Sequence, residues 1–285
     1  MPTVLTVGSL HYDIMVEADH LPRRDETATG SRWYPKFGGK GGNQAVAARK
    51  AGAASRMVGA VGDDAFGAFL RQALRQAGVE DDLVATLPGV GSGMSVALQD
   101  GAGDYAATIV SGANLRIDPA GLSADAVWRD VACLVLQNEA PGPVNIRAAA
   151  EARQRGVPTI LNAAPYRALS SEFRQLVDVL VVNAVEAEMM GTCAVHDLPS
   201  AAAAARHLSE GVTSVIVTAG SAGLAGLTDA GTAFQIVADK VAVVSSHGAG
   251  DAFIGTLAAC LAGGQTLRDA CQSAAHAAAR HVGGL

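Results

Sequence analysis

Near the end of the chain, Gly248-Ala249-Gly250-Asp251-Ala252-Phe253 sets two glycines and an acid ahead of an Ala- and Leu-rich run, residues 252–261, that reads as a helix. Without a Cβ at Gly248 or Gly250 the backbone can turn tightly and expose its N–H groups. Those donors, with the positive end of the helix dipole behind them, suit a phosphoryl group. A carboxylate beside a phosphate is repelled by it. Asp251 makes sense if it faces a hydroxyl that must lose a proton while attacking phosphorus. The same spacing also allows a plainer role, in which Asp251 caps a helix beginning at Ala252.

A second stretch has similar chemistry. Phe37-Gly38-Gly39-Lys40-Gly41-Gly42-Asn43-Gln44 precedes a helical run over residues 45–51. Four glycines around one lysine, directly before a helix, present backbone N–H groups to a polar ligand. None of the four lysines is followed by Ser or Thr, so there is no P-loop, and the GxGxxG spacing is missing. The plainer reading here is a flexible loop with Asn43 capping the helix.

The elements that must position these stretches alternate. Residues 4–7 form an apolar strand ending at Gly8-Ser9, and an alternating run over 14–17 reads as a strand with one wet face. A partner strand is expected over 27–34. Asp63-Asp64 precede an amphipathic helix over Ala65–Gln76, where acids favour the dipole. Two alternating runs, 94–98 and 105–110, are joined as a hairpin by residues 99–104 and complete a flap begun near residue 14. Strand–helix units follow. Strands at 133–136, 159–161, 177–182 and 214–217 end in Gln137-Asn138-Glu139, Asn162, Asn183 with Glu186 and Glu188, and Thr218-Ala219-Gly220-Ser221-Ala222-Gly223. Short strands at 223–228 and 234–237 precede the Gly248 turn, and helices are expected over 200–208 and 267–281. This alternation implies a parallel sheet covered by helices on both faces, with ligands at the carboxyl ends of its strands. No linker or repeat divides residues 1–285, so one domain is expected.

Composition narrows the function classes. The chain is 49% hydrophobic and 17% charged, with 27 acidic against 21 basic residues for a net charge of −6. An acidic chain without a basic cluster is a poor nucleic-acid binder. No apolar run is long enough to span a bilayer. Cys133, Cys193, Cys260 and Cys271 lie far apart with no CxxC pair, which fits buried thiols in a reducing cytoplasm.

Three stretches, in order, resemble one family. Residues 37–48 resemble the first signature of the PfkB carbohydrate kinases, and within them the ribokinases. Asn183-Ala184-Val185-Glu186 resembles the family's NxxE magnesium motif, and residues 248–253 its second signature, in which the aspartate is the catalytic base. The likeness runs from about Val4 to His281 and includes the Gly8-Ser9…Asp13 opening. It implies a ribokinase-like α/β fold: a mostly parallel sheet flanked by helices, with a small β-sheet lid within about 12–36 and 94–111. It implies ATP-dependent phosphorylation of a primary sugar hydroxyl, with Asp251 as base and Gly248, Ala249 and Gly250 as anion hole. His11, Asp13, Gly38, Gly39, Lys40, Asn43 and Glu139 would meet the sugar. Asn183, Thr218, Gly220, Ser221, Gly223, Gly248 and Gly250 would meet the nucleotide, with Asn183 and Glu186 acting on Mg²⁺ through water. A homodimer through the lid is implied as well.

The departures are specific. His11 stands where ribokinases usually carry Asn, which leaves the choice of sugar open. A nucleoside kinase of the same family is the alternative, since His11 and Tyr12 could face a base. Ser245-Ser246 replace an Asp-Thr pair whose aspartate helps hold a monovalent cation, and the chain stops at Leu285 where relatives continue. The expectation is no potassium activation and an altered adenine surround. These same losses keep open a non-catalytic sensor that binds sugar or nucleotide without turnover.

Overall fold

The computed structural model describes residues 1–101 and 105–285. In chain order the elements are β1 (Thr3–Val7), β2 (His11–Ala18), β3 (Gly30–Gly38), α1 (Lys40–Lys50), β4 (Ala54–Gly62), α2 (Ala65–Gln76), β5 (Val84–Leu87), β6 (Met94–Asp100) and β7 (Tyr105–Val110). After three short 3₁₀ turns come β8 (Val131–Gln137), α3 (Gly142–Gln154), β9 (Thr159–Asn162), α4 (Ser171–Gln175), β10 (Val179–Asn183) and α5 (Ala184–Met189). The remainder is α6 (Leu198–Leu208), β11 (Ser214–Thr218), β12 (Gly223–Leu227), β13 (Ala233–Val237), α7 (Ala249–Ala262) and α8 (Leu267–Val282).

Successive side chains of a strand point to opposite faces, and both faces of the main sheet are apolar here. Leu134, Leu136, Leu161, Leu180, Val182, Val215 and Val217 are buried on one side with Ala148, Ala152, Ala204 and Leu208 of α3 and α6. Cys133, Val135, Ile160, Val179, Val181 and Ile216 are buried on the other with Phe253, Ile254, Leu257 and Ala274 of α7 and α8. The result is a nine-stranded sheet in the order β13-β12-β11-β10-β9-β8-β1-β4-β5. Its pairs are parallel except β11–β12 and β12–β13.

A second sheet has four strands in the order β3-β2-β6-β7. β2 pairs antiparallel with β3 and parallel with β6, so Asp13 lies opposite both Lys36 and Ser95. Tyr12 anchors its base. The ring stacks on Phe66 of α2 at 4.1 Å between centroids and meets Phe69 edge-on at 4.9 Å. This is the expected flap, with one face of the half-buried Tyr12 ring packed against the body.

Several boundaries differ from expectation. β3 starts at Gly30 and runs on to Gly38, and β6 extends to Asp100. Of the expected turn over 99–104, residues 102–104 lie outside the described residues. β4 and β5 were not expected. Arg56 and the glycines at 59 and 62 hide β4 in the sequence; in the fold Arg56 is held by Glu80 at 2.8 Å and by the carbonyls of Val127 and Arg129. Asp64, expected to favour the dipole of α2, also caps it, accepting from the Gly67 N–H at 2.7 Å.

Candidate active site

The turn before α7 determines the site. Gly248 adopts φ 84°, a left-handed conformation open to glycine, and is the N-cap of a helix that begins at Ala249. Asp251 therefore lies inside the first turn and is not the cap. The Ala249 N–H meets the Ser246 carbonyl at 3.3 Å and the Ala252 N–H meets that of Gly248 at 2.9 Å. Between them, the N–H groups of Gly250 and Asp251 have no partner among the described residues, as the first turn of a helix requires. Both residues line a cleft of about 130 Å³ shared with Lys40, Asn183, Glu186 and Thr218.

Asp251 is buried, and α1 supplies its partners. Asn43 donates to one carboxylate oxygen at 3.1 Å and Gln44 to the other at 2.9 Å. Burial pushes the Asp251 carboxyl above the usual carboxylate range, against the opposing pull of Lys40 and the two amides. A buried carboxylate with a raised affinity for protons, held in a fixed orientation, suits general-base chemistry.

The glycine-rich stretch corrects one expectation. Residues 40–44 are the first turn of α1, not a loop ahead of it, and Gly39, not Asn43, is the N-cap. The N–H groups there are already used. Lys40 N–H donates to Glu139 at 2.8 Å, Gly42 N–H to the Ser9 carbonyl at 2.9 Å, and Asn43 N–H to the Gly39 carbonyl at 3.0 Å. Packing accounts for Gly41: a Cβ there would lie 2.6 Å from the Ser9 nitrogen.

Around this helix start the predicted sugar residues converge. Glu139, just past β8, also accepts from the Ser9 hydroxyl at 2.5 Å. His11 is buried opposite Gly38, its Nδ1 4.0 Å from Glu139, and its Nε2 has no partner. Asp13 accepts from the Ser95 hydroxyl at 2.5 Å.

On the opposite wall Asn183 and Glu186 form a capping box on α5, each side chain accepting from the other's N–H at 2.9 Å. They cap the helix, and they also line the cleft. Gly220, Ser221 and Gly223 lie beyond it, on the turn into β12. Among the described residues, no group of three or more His, Cys, Asp or Glu side chains is placed to hold a metal ion.

Three residues escaped the sequence reading. Gln44 and Lys36 gave no signal beyond lying in or next to the first signature. His247 sits immediately before Gly248. Desolvation and Lys36 hold its ring below the usual histidine range, against the pull of Asp13 and Asp251. That set of neighbours joins the lid to the α7 turn.

Residues 1–283 match the model of the pfkB family carbohydrate kinases. A ribokinase of Mus musculus is 33% identical over 263 residues, 91% of this chain and 81% of its own. A ribokinase of Bacillus subtilis (strain 168) is 31% identical over 285 residues, 99% of this chain and 93% of its own. The solved structure of Arabidopsis thaliana ribokinase complexed with ribose and ATP matches with a TM-score of 0.91 at 28% identity, covering 99% of this chain and 92% of its own. A family match over nearly the full length, on a fold that buries a carboxylate beside free helix N–H groups, has one meaning: the chain belongs to the pfkB family of carbohydrate kinases, phosphotransferases with an alcohol group as acceptor.

Proposed function

We propose that the chain transfers the γ-phosphoryl group of ATP to a primary hydroxyl of a ribose-like sugar, acting as one domain with residues 12–36 and 94–111 as its lid. The observation that carries this is the pairing of Asp251, buried and raised in proton affinity, with the unpartnered N–H groups of Gly250 and Asp251. Asp251 takes the proton of the attacking hydroxyl. The N–H groups, with Lys40 across the cleft, stabilise charge on the transferred group. His11, Asp13, Gly38, Gly39, Lys40, Asn43 and Glu139 hold the sugar under the lid, which keeps water from competing for the phosphoryl group.

The nucleotide occupies the opposite wall, along Asn183, Thr218, Gly220, Ser221 and Gly223. Magnesium fits this wall. Glu186 spends one carboxylate oxygen on its cap and has the other available for a hydrated ion. Mg²⁺ keeps several waters and binds chiefly through substrate phosphates, so few protein ligands are needed. Its contribution when bound is neutralisation of phosphate charge. We also infer a cytoplasmic location, where ATP is at hand as donor.

The test is a single coupled ADP assay across ribose, other pentoses and hexoses, and nucleosides. Turnover of a free sugar supports the reading. Turnover of nucleosides alone would move the enzyme to nucleoside phosphorylation, and binding of sugar and ATP with no ADP released would make it a sensor.

A further inference from the structure

His281 stands in the last turn of α8, outside every motif used above. Its Nε2 lies 2.9 Å from the carbonyl oxygen of His247, one residue ahead of the left-handed Gly248. A carbonyl only accepts, so this nitrogen carries the proton. Two more bonds tie the turn to the same helix end: the N–H groups of Val244 and Ser245 donate to the Val282 carbonyl at 2.9 and 3.2 Å. A Cβ on Gly248 would come within 3.0 Å of His281 Nε2, so ring, carbonyl and turn touch. Rotating the peptide that joins residues 247 and 248 would re-aim the N–H groups that follow, and the His281 bond opposes that rotation.

The family resemblance sets a monovalent cation beside this turn. The residues here do not fit one. Position 245 is a neutral serine whose hydroxyl accepts from the His247 N–H at 3.3 Å, and the His247 carbonyl is taken by His281.

We propose that His281 is a positioning residue for phosphoryl transfer, fixing the anion-binding turn with a side-chain N–H so that turnover needs no monovalent cation. This rests on the kinase reading above.

The test compares wild type, His281→Ala and His281→Gln in tetramethylammonium and in potassium buffers. Wild type should turn over equally in both. H281A should lose about ten- to a hundredfold in kcat, somewhat less than removal of a direct oxyanion donor. The KM values for sugar and ATP and the unfolding temperature should hardly move, and H281Q or added imidazole should restore part of the rate by returning an N–H. Potassium activation of wild type, or wild-type kcat in H281A, would overturn the proposal. Ring ¹⁵N spectra of wild type read the bond without turnover, and a His281 protonated on Nδ1 alone overturns it too. If no substrate is phosphorylated at all, the kinase reading fails, while the tautomer still decides whether His281 holds the turn.

Discussion

Asp251 is a carboxylate whose proton affinity the fold raises, and both its proposed catalytic role and the pH dependence of its stability follow from that. Its proton affinity is raised in the fold, so the native state binds the proton over a window where the unfolded chain has released it. The stability this site contributes is therefore greatest at low pH and is lost as pH rises through the folded value. Asp251→Asn removes the cost of burying charge, and Gln44, whose Oε1 has no partner, can turn its amide to accept from the new one. We expect D251N to lose about 10²–10⁴-fold in kcat and to keep its affinity for ATP. It should also melt above wild type at neutral pH, with the gap closing on acidification. In wild type, the acid limb of kcat/KM against pH should fall above the ordinary aspartate value of about 3.9. An acid limb at that value, or D251N turnover above about a tenth of wild type, would remove Asp251 as base. Much of this was legible: the acid and its glycines stand side by side in sequence. Gln44 was not, because its partner lies 207 positions away. His281 was invisible for the same reason, and its bond to His247 exists only once α8 is folded back.

Among the elements, the contact between α1 and α7 keeps the Asp251 carboxylate and its amides together. A Cβ on Gly255 would lie 2.5 Å from the Ala47 Cβ and 2.5 Å from the Gln44 carbonyl. Backbone cannot yield as a flexible side chain can, so overpacking outweighs any gain in helix propensity. Gly255→Val should cost about 1–3 kcal/mol in denaturant unfolding and lower kcat more than KM by drawing Gln44 off Asp251. A G255V variant with wild-type kcat would uncouple this packing from the chemistry. The cap of α2 makes a separate test. Asp64 accepts from Gly67 N–H, Ser92 N–H and Ser92 hydroxyl at 2.7–2.8 Å, joining the helix to the start of β6. Burial raises its carboxyl but these bonds outweigh it and the net direction is down. Its stabilisation is thus present above the unfolded value and lost as pH falls through the folded one. Asp64→Ala should cost about 1–2 kcal/mol at neutral pH, shrinking in acid; an unchanged unfolding midpoint would contradict the cap. Apolar strands such as β8 and β10 could be read from sequence because their signals are local, whereas the cap readings at Asn43 and Asp251 failed because Gly39 and Gly248 cap those helices. The start of α1 could not, since glycines in a helix weaken it and only packing, of Gly41 against Ser9 and of Gly42 against Phe37 and Leu10, makes them necessary.

At the scale of the whole molecule, the proposed function divides the substrates between the two sheets. The nine-stranded sheet would carry the nucleotide wall at Asn183 and Thr218, while the four-stranded sheet, which holds Asp13 and Lys36, would cover the sugar. Among the described strands, β3 and β7 are the lid's open edges. Open edges expose unpaired N–H and C=O groups, which proteins cover or blunt. Pro35 in β3 blunts one edge only in part. Large apolar side chains stay exposed on these strands, Trp33 at 62% and Ile109 at 57%. A second copy meeting the lid would cover edges and side chains together, which the family resemblance leads one to expect. Sedimentation at micromolar concentration should then give twice the chain mass. The double variant Trp33→Glu, Ile109→Glu should sediment as one chain and show a raised KM for sugar. Its KM for ATP should be unchanged, because the proposed function sets the lid on the sugar side. A wild-type chain that sediments as a monomer while fully active would mean that one lid suffices. A variant that loses ATP and sugar affinity equally would instead tie the lid to the fold of the main sheet.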